Sequence, residues 1–300
     1  MPVRSLLSFA AVLMAGLAAP DRGVAAEPTV GGKPLAQWRK DLAAPRGEDR
    51  REAVAALGNL GAEAKPAVPL IVAALKDADR NVRLAAAASL AQLGPAAAEA
   101  VPDLLTAMSD GYSRVRERAA AALGFVGPAA RPALPALYEM LKSDRKDAAR
   151  AAAAAALGML RLEPERSVPA LTAALADPVM TVRSSAVRAL GDFGDRAGPA
   201  VPAVAEALTD REWVVRSLAA QSLGMMGRSA EPAVRALTAA LADREAIVRR
   251  RAAEALGSLG PTARPAAEAL RKLSSADPEE AVRTAAGEAL RKLGGMPKAE

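Results

Sequence analysis

The chain has no cysteine and no histidine in 300 residues. Without cysteine there are no disulfides and no thiolate metal sites. Without histidine the commonest general base, the commonest metal ligand and the usual partner of a nucleophilic serine are all missing. What remains is carboxylate chemistry, and no acidic group stands in a catalytic arrangement. Glu279-Glu280 and Asp77/Asp79 fall in turns, where the preference of helix N-termini for negative charge accounts for them. No glycine-rich loop follows a strand. No catalytic residue, metal or cofactor is therefore expected. Aromatic residues are scarce too, with two Trp, two Tyr and three Phe. There is no long alternating Val/Ile/Thr run of the kind that marks a strand.

What is present is alanine, leucine and valine. Ala and Leu are strong helix formers, and Ala lets helices approach closely, so the composition points to an all-helical protein built from thin layers. The formal charge of +6 is modest and its signs are interleaved. A mixed solvated surface explains it, and no nucleic-acid partner is expected. The N-terminus has the form of an export signal: Arg4, then an apolar stretch over residues 6–19, then Val24, Ala25 and Ala26 before Glu27. The apolar stretch is short of the roughly 20 residues that span a bilayer, so cleavage is expected rather than anchoring. The expected organisation is a signal peptide over 1–26, a linker and capping helix over 27–48, repeats over 49–294 and a tail over 295–300. The mature protein would be periplasmic or secreted, without stable membrane insertion.

One pattern recurs eight times, at Arg50, Arg83, Arg116, Arg150, Arg183, Arg216, Arg249 and Arg283, every 33 or 34 residues. Ala stands three positions after each arginine and Leu seven after. Asp stands six before each except the first, where Ala44 replaces it. Strict self-similarity at this period marks a solenoid. Each unit reads as two helices. In the first, Val68, Ile71, Val72 and Leu75 share a face, and Pro66 and Pro69 sit in its first turn. In the second, Val82, Ala86, Leu90 and Leu93 share a face, and Gly94-Pro95 stops it. The Asp-Pro pairs at Asp177-Pro178 and Asp277-Pro278 read as N-cap and first helical residue. Repeat four departs from the pattern: Ala149 replaces Val, and "RLEPERSVP" replaces the Gly-Pro stop, which questions the uniformity of the superhelix there. Ahead of the repeats, Leu35, Trp38 and Leu42 form the apolar stripe of a capping helix, with Trp38 as a core anchor.

The pattern D-x-x-x-x-V-R-x-x-A-x-x-x-L-G-x-x-G resembles the HEAT-repeat family in its short form, best known from phycobilin lyase subunits and deoxyhypusine hydroxylase. The resemblance covers about residues 47–294. It implies an all-α, right-handed α-solenoid of about eight two-helix repeats, with the second helices usually lining the concave side. It says little about function. A non-enzymatic scaffold that binds a protein or peptide outside the cytoplasm fits best. One alternative is a lyase-like protein handling a chromophore or other small ligand; another is nucleic-acid binding, as in DNA glycosylases built on HEAT-like repeats. The hydroxylase holds its irons through His-Glu motifs, which a chain without histidine cannot reproduce.

Within the repeats, the register arginines read as scaffold, because an Asp recurs with each at a fixed offset suited to pairing within or between layers. Counting from the register arginine, positions +1, +2, +5 and +9 vary most and lie on one side of the second helix. In repeats two to four that side is apolar, with Leu84, Ala88, Ala121, Phe125, Ala155 and Met159. Repeats five, seven and eight place Arg188 and Asp192, Arg250 and Glu254, and Glu288 and Lys292 there. An exposed apolar patch of this kind marks an interaction surface. Tyr112 and Trp213, at the starts of second helices, are further candidates for partner contact.

Overall fold

The computed structural model describes residues 29–294. The expected signal peptide over 1–26 and the expected tail over 295–300 lie outside these residues. The described residues begin with a hairpin of two-residue strands, β1 Thr29–Val30 against β2 Lys33–Pro34, turned by Gly31 and Gly32 at positive φ. All other regular structure among the described residues is helical. The first helices of the eight layers are α1 Leu35–Leu42, α3 Val68–Ala74, α5 Val101–Ala107, α7 Leu134–Ser143, α9 Pro164–Ala173, α11 Val201–Glu206, α13 Val234–Ala240 and α15 Ala267–Ala276. The second helices are α2 Gly47–Asn59, α4 Arg80–Leu93, α6 Ser113–Val126, α8 Asp147–Leu160, α10 Met180–Asp192, α12 Trp213–Met225, α14 Ala246–Leu259 and α16 Glu280–Lys292. Each second helix packs on the next, from α2 through to α16, and the first helices back them. The protein is an all-α solenoid.

Residue size sets how closely the layers approach. Glycine at position +8 lies over a small residue at +6 of the next layer. A Cβ on Gly158 would sit 2.7 Å from Ala189 Cα, and one on Gly191 would sit 2.7 Å from Ser222 Oγ. The buried Ser89 and Ser222 hydroxyls donate to the carbonyls of Val54 and Val187 in the preceding layer, each at 2.9 Å. Leu57, Leu90, Leu123, Leu157, Leu190, Leu223, Leu256 and Leu290, the recurring +7 leucines, are fully buried or nearly so.

The first helices are shorter than the sequence suggests. A 3-10 turn such as Gly61–Ala67 carries the first proline, and the α-helix begins one residue before the second. Pro66 and Pro69 cannot donate backbone hydrogen bonds, so the segment tightens before it enters an α-helix. In repeat four the glycine stop is replaced by two left-handed residues, Arg161 at φ 49° and Glu163 at φ 45°. Non-glycine residues enter that region at some cost, and they reproduce the turn there. The stack continues without interruption, since α8 packs on α6 and α10 alike. At the N-terminal end Trp38 is buried, and its indole N–H donates to the Val30 carbonyl at 3.0 Å, so it anchors the cap as expected. Residues Arg80–Ala107 are apolar and long enough in sum to cross a bilayer, but Gly94 at φ 55° breaks them into separate packed helices.

Candidate functional site

Two arrangements compete for attention, the arginine ladder and the variable face of the second helices. In the ladder, each guanidinium grips the aspartate of the following repeat with two parallel hydrogen bonds. Arg216 Nε and Nη2 reach Asp243 at 2.6 and 2.9 Å, and Arg183 reaches Asp210 at 2.7 and 2.9 Å. The same fork joins Arg50 to Asp77, Arg83 to Asp110, Arg116 to Asp144, Arg150 to Asp177 and Arg249 to Asp277. The remaining guanidinium nitrogen donates backward to the backbone carbonyl of its own repeat's aspartate, as Arg83 Nη1 does to Asp77 at 2.9 Å. The contact between layers is therefore to the carboxylate, and the contact within a layer is to the main chain.

This geometry explains both ends. Arg50 donates to the carbonyl of Ala44 at 2.9 Å, so repeat one keeps the backbone contact and has no preceding register arginine to need a carboxylate. Among the described residues Arg283, in the last layer, makes only its carbonyl contacts, to Asp277 and Pro278. The geometry also corrects one expectation. The register aspartates are not N-caps: Asp177 accepts from the backbone N–H of Val179 at 2.9 Å, and α10 begins only after Val179. The carboxylate closes a turn through Oδ1, which also accepts one arm of the Arg150 fork, while Oδ2 accepts the other.

Arginine hydrogen bonds are the largest influence on Asp77, Asp144 and Asp277, and they hold these carboxyls below the ordinary 3.8. For Asp110, Asp177, Asp210 and Asp243, burial pushes upward most strongly, but the guanidinium, the backbone N–H and Coulomb attraction together bring the net below 3.8. Folded carboxyls that titrate lower than unfolded ones add stability in full above the unfolded value, and lose it as pH falls through the folded values. The melting temperature should accordingly hold from neutral pH down to about pH 4 and then drop steeply. Circular dichroism melts across that range test this, and a loss centred above about pH 5 would contradict it.

The variable face is different in kind. Phe125 is 51% exposed, Met159 38% and Trp213 45%. Ala155 is exposed, and Leu84, Ala88 and Ala121 are half-buried. These residues lie on consecutive helices: Leu84 and Ala88 on α4, Ala121 and Phe125 on α6, Ala155 and Met159 on α8. Met159 leans back on α6, since a Cβ on Gly124 would stand 3.2 Å from its sulfur. Leu84 and Ala88, with Ala85, form the floor of a groove of about 720 Å³ walled by Arg118 and by Glu48 and Arg51. Tyr112 stands apart from this set. It is half-buried at the start of α6, with the Arg80 guanidinium stacked 4.9 Å above its ring. Trp213 begins α12, three layers further on, so these two aromatics do not form one site.

One exposed residue was missed in the sequence. Met225, 47% exposed, occupies position +9 of repeat six, the position of Phe125 and Met159. Half-exposed Leu218 at +2 makes that repeat apolar as well. Applying the same register to repeat six identifies both. The arginine run 249–251 is divided between the two: Arg249 belongs to the ladder, while Arg250 and Arg251 flank Glu254 on the variable face at 3.7 and 3.1 Å.

HEAT-repeat models match the chain in five overlapping segments, 35–124, 95–158, 134–224, 168–257 and 201–291. The chain belongs to the HEAT-repeat family. Among solved structures, importin beta is similar in fold, with a TM-score of 0.62 at 15% identity over 88% of this chain and 41% of its own. Human deoxyhypusine hydroxylase aligns over 87% of this chain and 96% of its own at 27% identity, with a TM-score of 0.38. An engineered protein aligns over 75% of this chain and 96% of its own at 22% identity, with a TM-score of 0.44. A comparison with curated proteins found no match. As a HEAT-repeat protein, the chain has a fold that commonly mediates protein interaction.

Proposed function

We propose that this HEAT-repeat protein is a non-enzymatic scaffold that binds a protein or peptide along the variable face of its second helices, outside the cytoplasm. One observation carries the proposal. The large exposed apolar side chains Phe125, Met159 and Met225 all occupy the same register position, on the side of the helix that the layer packing leaves open. Fold stability gives no reason to expose them, whereas burying them against a partner removes apolar area from water. The lack of histidine and cysteine supports a non-enzymatic role. The ladder is spoken for, because both edges of its guanidinium groups are used within the fold.

Ala121→Glu combined with Phe125→Lys tests the face. Arg188, Asp192 and Glu254 already occupy this register elsewhere, so helicity and melting temperature should change little. Capture of the native partner should weaken at least about tenfold, roughly 1.4 kcal/mol, because each new charge would be desolvated against an apolar surface. Unaltered capture would refute binding at this face. Export rests on Arg4, the apolar stretch 6–19 and the small residues before Glu27. N-terminal sequencing of protein from its host should begin at or near Glu27, and an intact Met1 on cytoplasmic protein would refute it.

A further inference from the structure

The variable face is not uniform along the stack. Five positions of each second helix lie on this side, at −2, +1, +2, +5 and +9 from the register arginine, with Ser217 and Ala285 buried among them. In repeats two, four and six none of the five is ionisable, and the face there is made by residues such as Leu84, Met159, Leu218 and Met225. In repeats one, three, five and seven the same positions carry arginines, among them Arg51, Arg118, Arg188 and Arg251. Charged and uncharged rows alternate through seven layers, and the charged row three also carries Phe125. Only the terminal repeat, with Glu288 and Lys292 on its solvated end, breaks the order.

Arginines outnumber acids in rows three and seven, row five is balanced, and row one is acidic, with Glu48 and Glu52 on either side of Arg51. Glu254 is shared between Arg250 and Arg251. Asp192 is half-buried and faces two arginines, Arg161 and Arg188. In repeat three Arg114 and Arg118 accompany the single Glu117. Arg118 and Arg188 are exposed, and among the described residues neither has a carboxylate oxygen within 4.0 Å. Every register arginine up to Arg249, by contrast, is held by its aspartate. The groove over α4 is lined by Arg118 and Arg51, by the apolar floor of Leu84, Ala85 and Ala88, and by Glu48 and Asp79.

We infer that this face takes an extended acidic peptide, in which a carboxylate and an apolar side chain alternate at about every third residue. The inference rests on the binding role proposed above and specifies its partner. Layers of packed helices lie about 10 Å apart. A polyproline-II chain has three residues per turn and rises about 3.1 Å per residue, so residues i and i+3 lie on one side about 9 Å apart. A carboxylate over Arg118 then places an apolar residue over the Ala155 and Met159 row and the next carboxylate over Arg188. A β-strand cannot do this, because its i and i+3 side chains point to opposite faces. An α-helix would match with about seven residues per layer. The uncharged amides of Gln92 and Gln221, which make no hydrogen bond within the fold among the described residues, favour a chain whose backbone groups are still open to bonding.

Fluorescein-labelled synthetic peptides and the whole chain provide the test, read by anisotropy. One peptide places Glu and Leu alternately at every third position. A second has the same composition scrambled, a third replaces Glu by Lys, and a fourth is helical with the same residues every seventh position. The first should bind at least about tenfold more tightly than the others. Arg118→Glu combined with Arg188→Glu should reverse the preference toward the lysine peptide while leaving the melting temperature unchanged. Equal binding of the spaced and scrambled peptides, or indifference to the arginine changes, overturns the inference. If the helical peptide binds best and loses binding in the Ala121→Glu/Phe125→Lys protein, the extended acidic partner is wrong but the face still binds peptide. If no peptide binds and the same double change leaves capture of the native partner intact, both proposals fall.

Discussion

Arg216→Ala is expected to destabilise the fold by about 2–4 kcal/mol, because it removes one partner of a mostly buried charge pair and leaves the other without compensation. The Arg216 side chain is 8% exposed and that of Asp243 11%. Removing the guanidinium breaks two carboxylate bonds and also the donor bonds to the Asp210 and Arg211 carbonyls. Arg216→Lys should recover only part of the loss, since an ammonium cannot form the parallel fork. Adding Asp243→Ala to Arg216→Ala should cost less than the two single losses summed, because the stranded carboxylate is removed along with its partner. Arg283→Ala provides the internal control. Among the described residues Arg283 holds only backbone carbonyls, so its loss should cost no more than about 1 kcal/mol. Urea denaturation of the five variants, Asp243→Ala alone included, measures this series. Equal losses at Arg216 and Arg283 would show that the pairing between layers contributes little.

Gly158→Val should cost about 3 kcal/mol, at the upper end of overpacking effects. The nearest atoms to a Cβ there are Ala189 Cα and Cβ, both at 2.7 Å. A backbone atom cannot swing aside as the end of a side chain can, so α8 and α10 would have to separate. Gly158→Ala should also destabilise, although alanine favours a helix over glycine by about 1 kcal/mol. Gly287 reverses the sign. It lies within α16 in the last layer, with nothing within 4 Å of its would-be Cβ. Gly287→Ala should therefore stabilise by roughly 0.5–1 kcal/mol, the helix-propensity gain alone. Thermal or urea unfolding of both alanine variants decides the point. A stabilising Gly158→Ala would mean that the contact between layers is looser than the geometry indicates.

The scaffold was largely legible because a solenoid repeats its solution. The eight arginines, the +3 alanines and the +7 leucines each answer one local packing need, and recurrence within a single chain reveals the need without any relatives. The direction of the ladder was less legible. An Asp that lies six residues before one arginine also lies 27 or 28 after the previous one, and spacing alone cannot say which guanidinium turns toward it. The Asp-Pro pairs misled for a related reason. The residue types suit an N-cap, but the carboxylate is needed by arginine, so the helix starts two residues later. In repeat four a missing Gly-Pro stop suggested irregularity, but Arg161 and Glu163 adopt the left-handed turn themselves. Met225 was overlooked because repeat six mixes Ser217 and Gln221 with its apolar residues, and one polar neighbour is enough to hide an exposed methionine in a linear reading. The alternation of charged and uncharged rows is already present at +1, +2, +5 and +9, and position −2 only adds Glu48 and Arg114 to rows one and three.

Cross-linking from the two sides of the stack tests the central claim most directly, that the scaffold repeats and the variable side of the second helices binds. A photo-cross-linking amino acid would replace Phe125 in one protein and the exposed Glu139 of first helix α7 in another, each irradiated in the native host. The account predicts a discrete heavier adduct from position 125, mapping to one partner segment, and none from position 139. An adduct from position 139 with none from position 125 would contradict it.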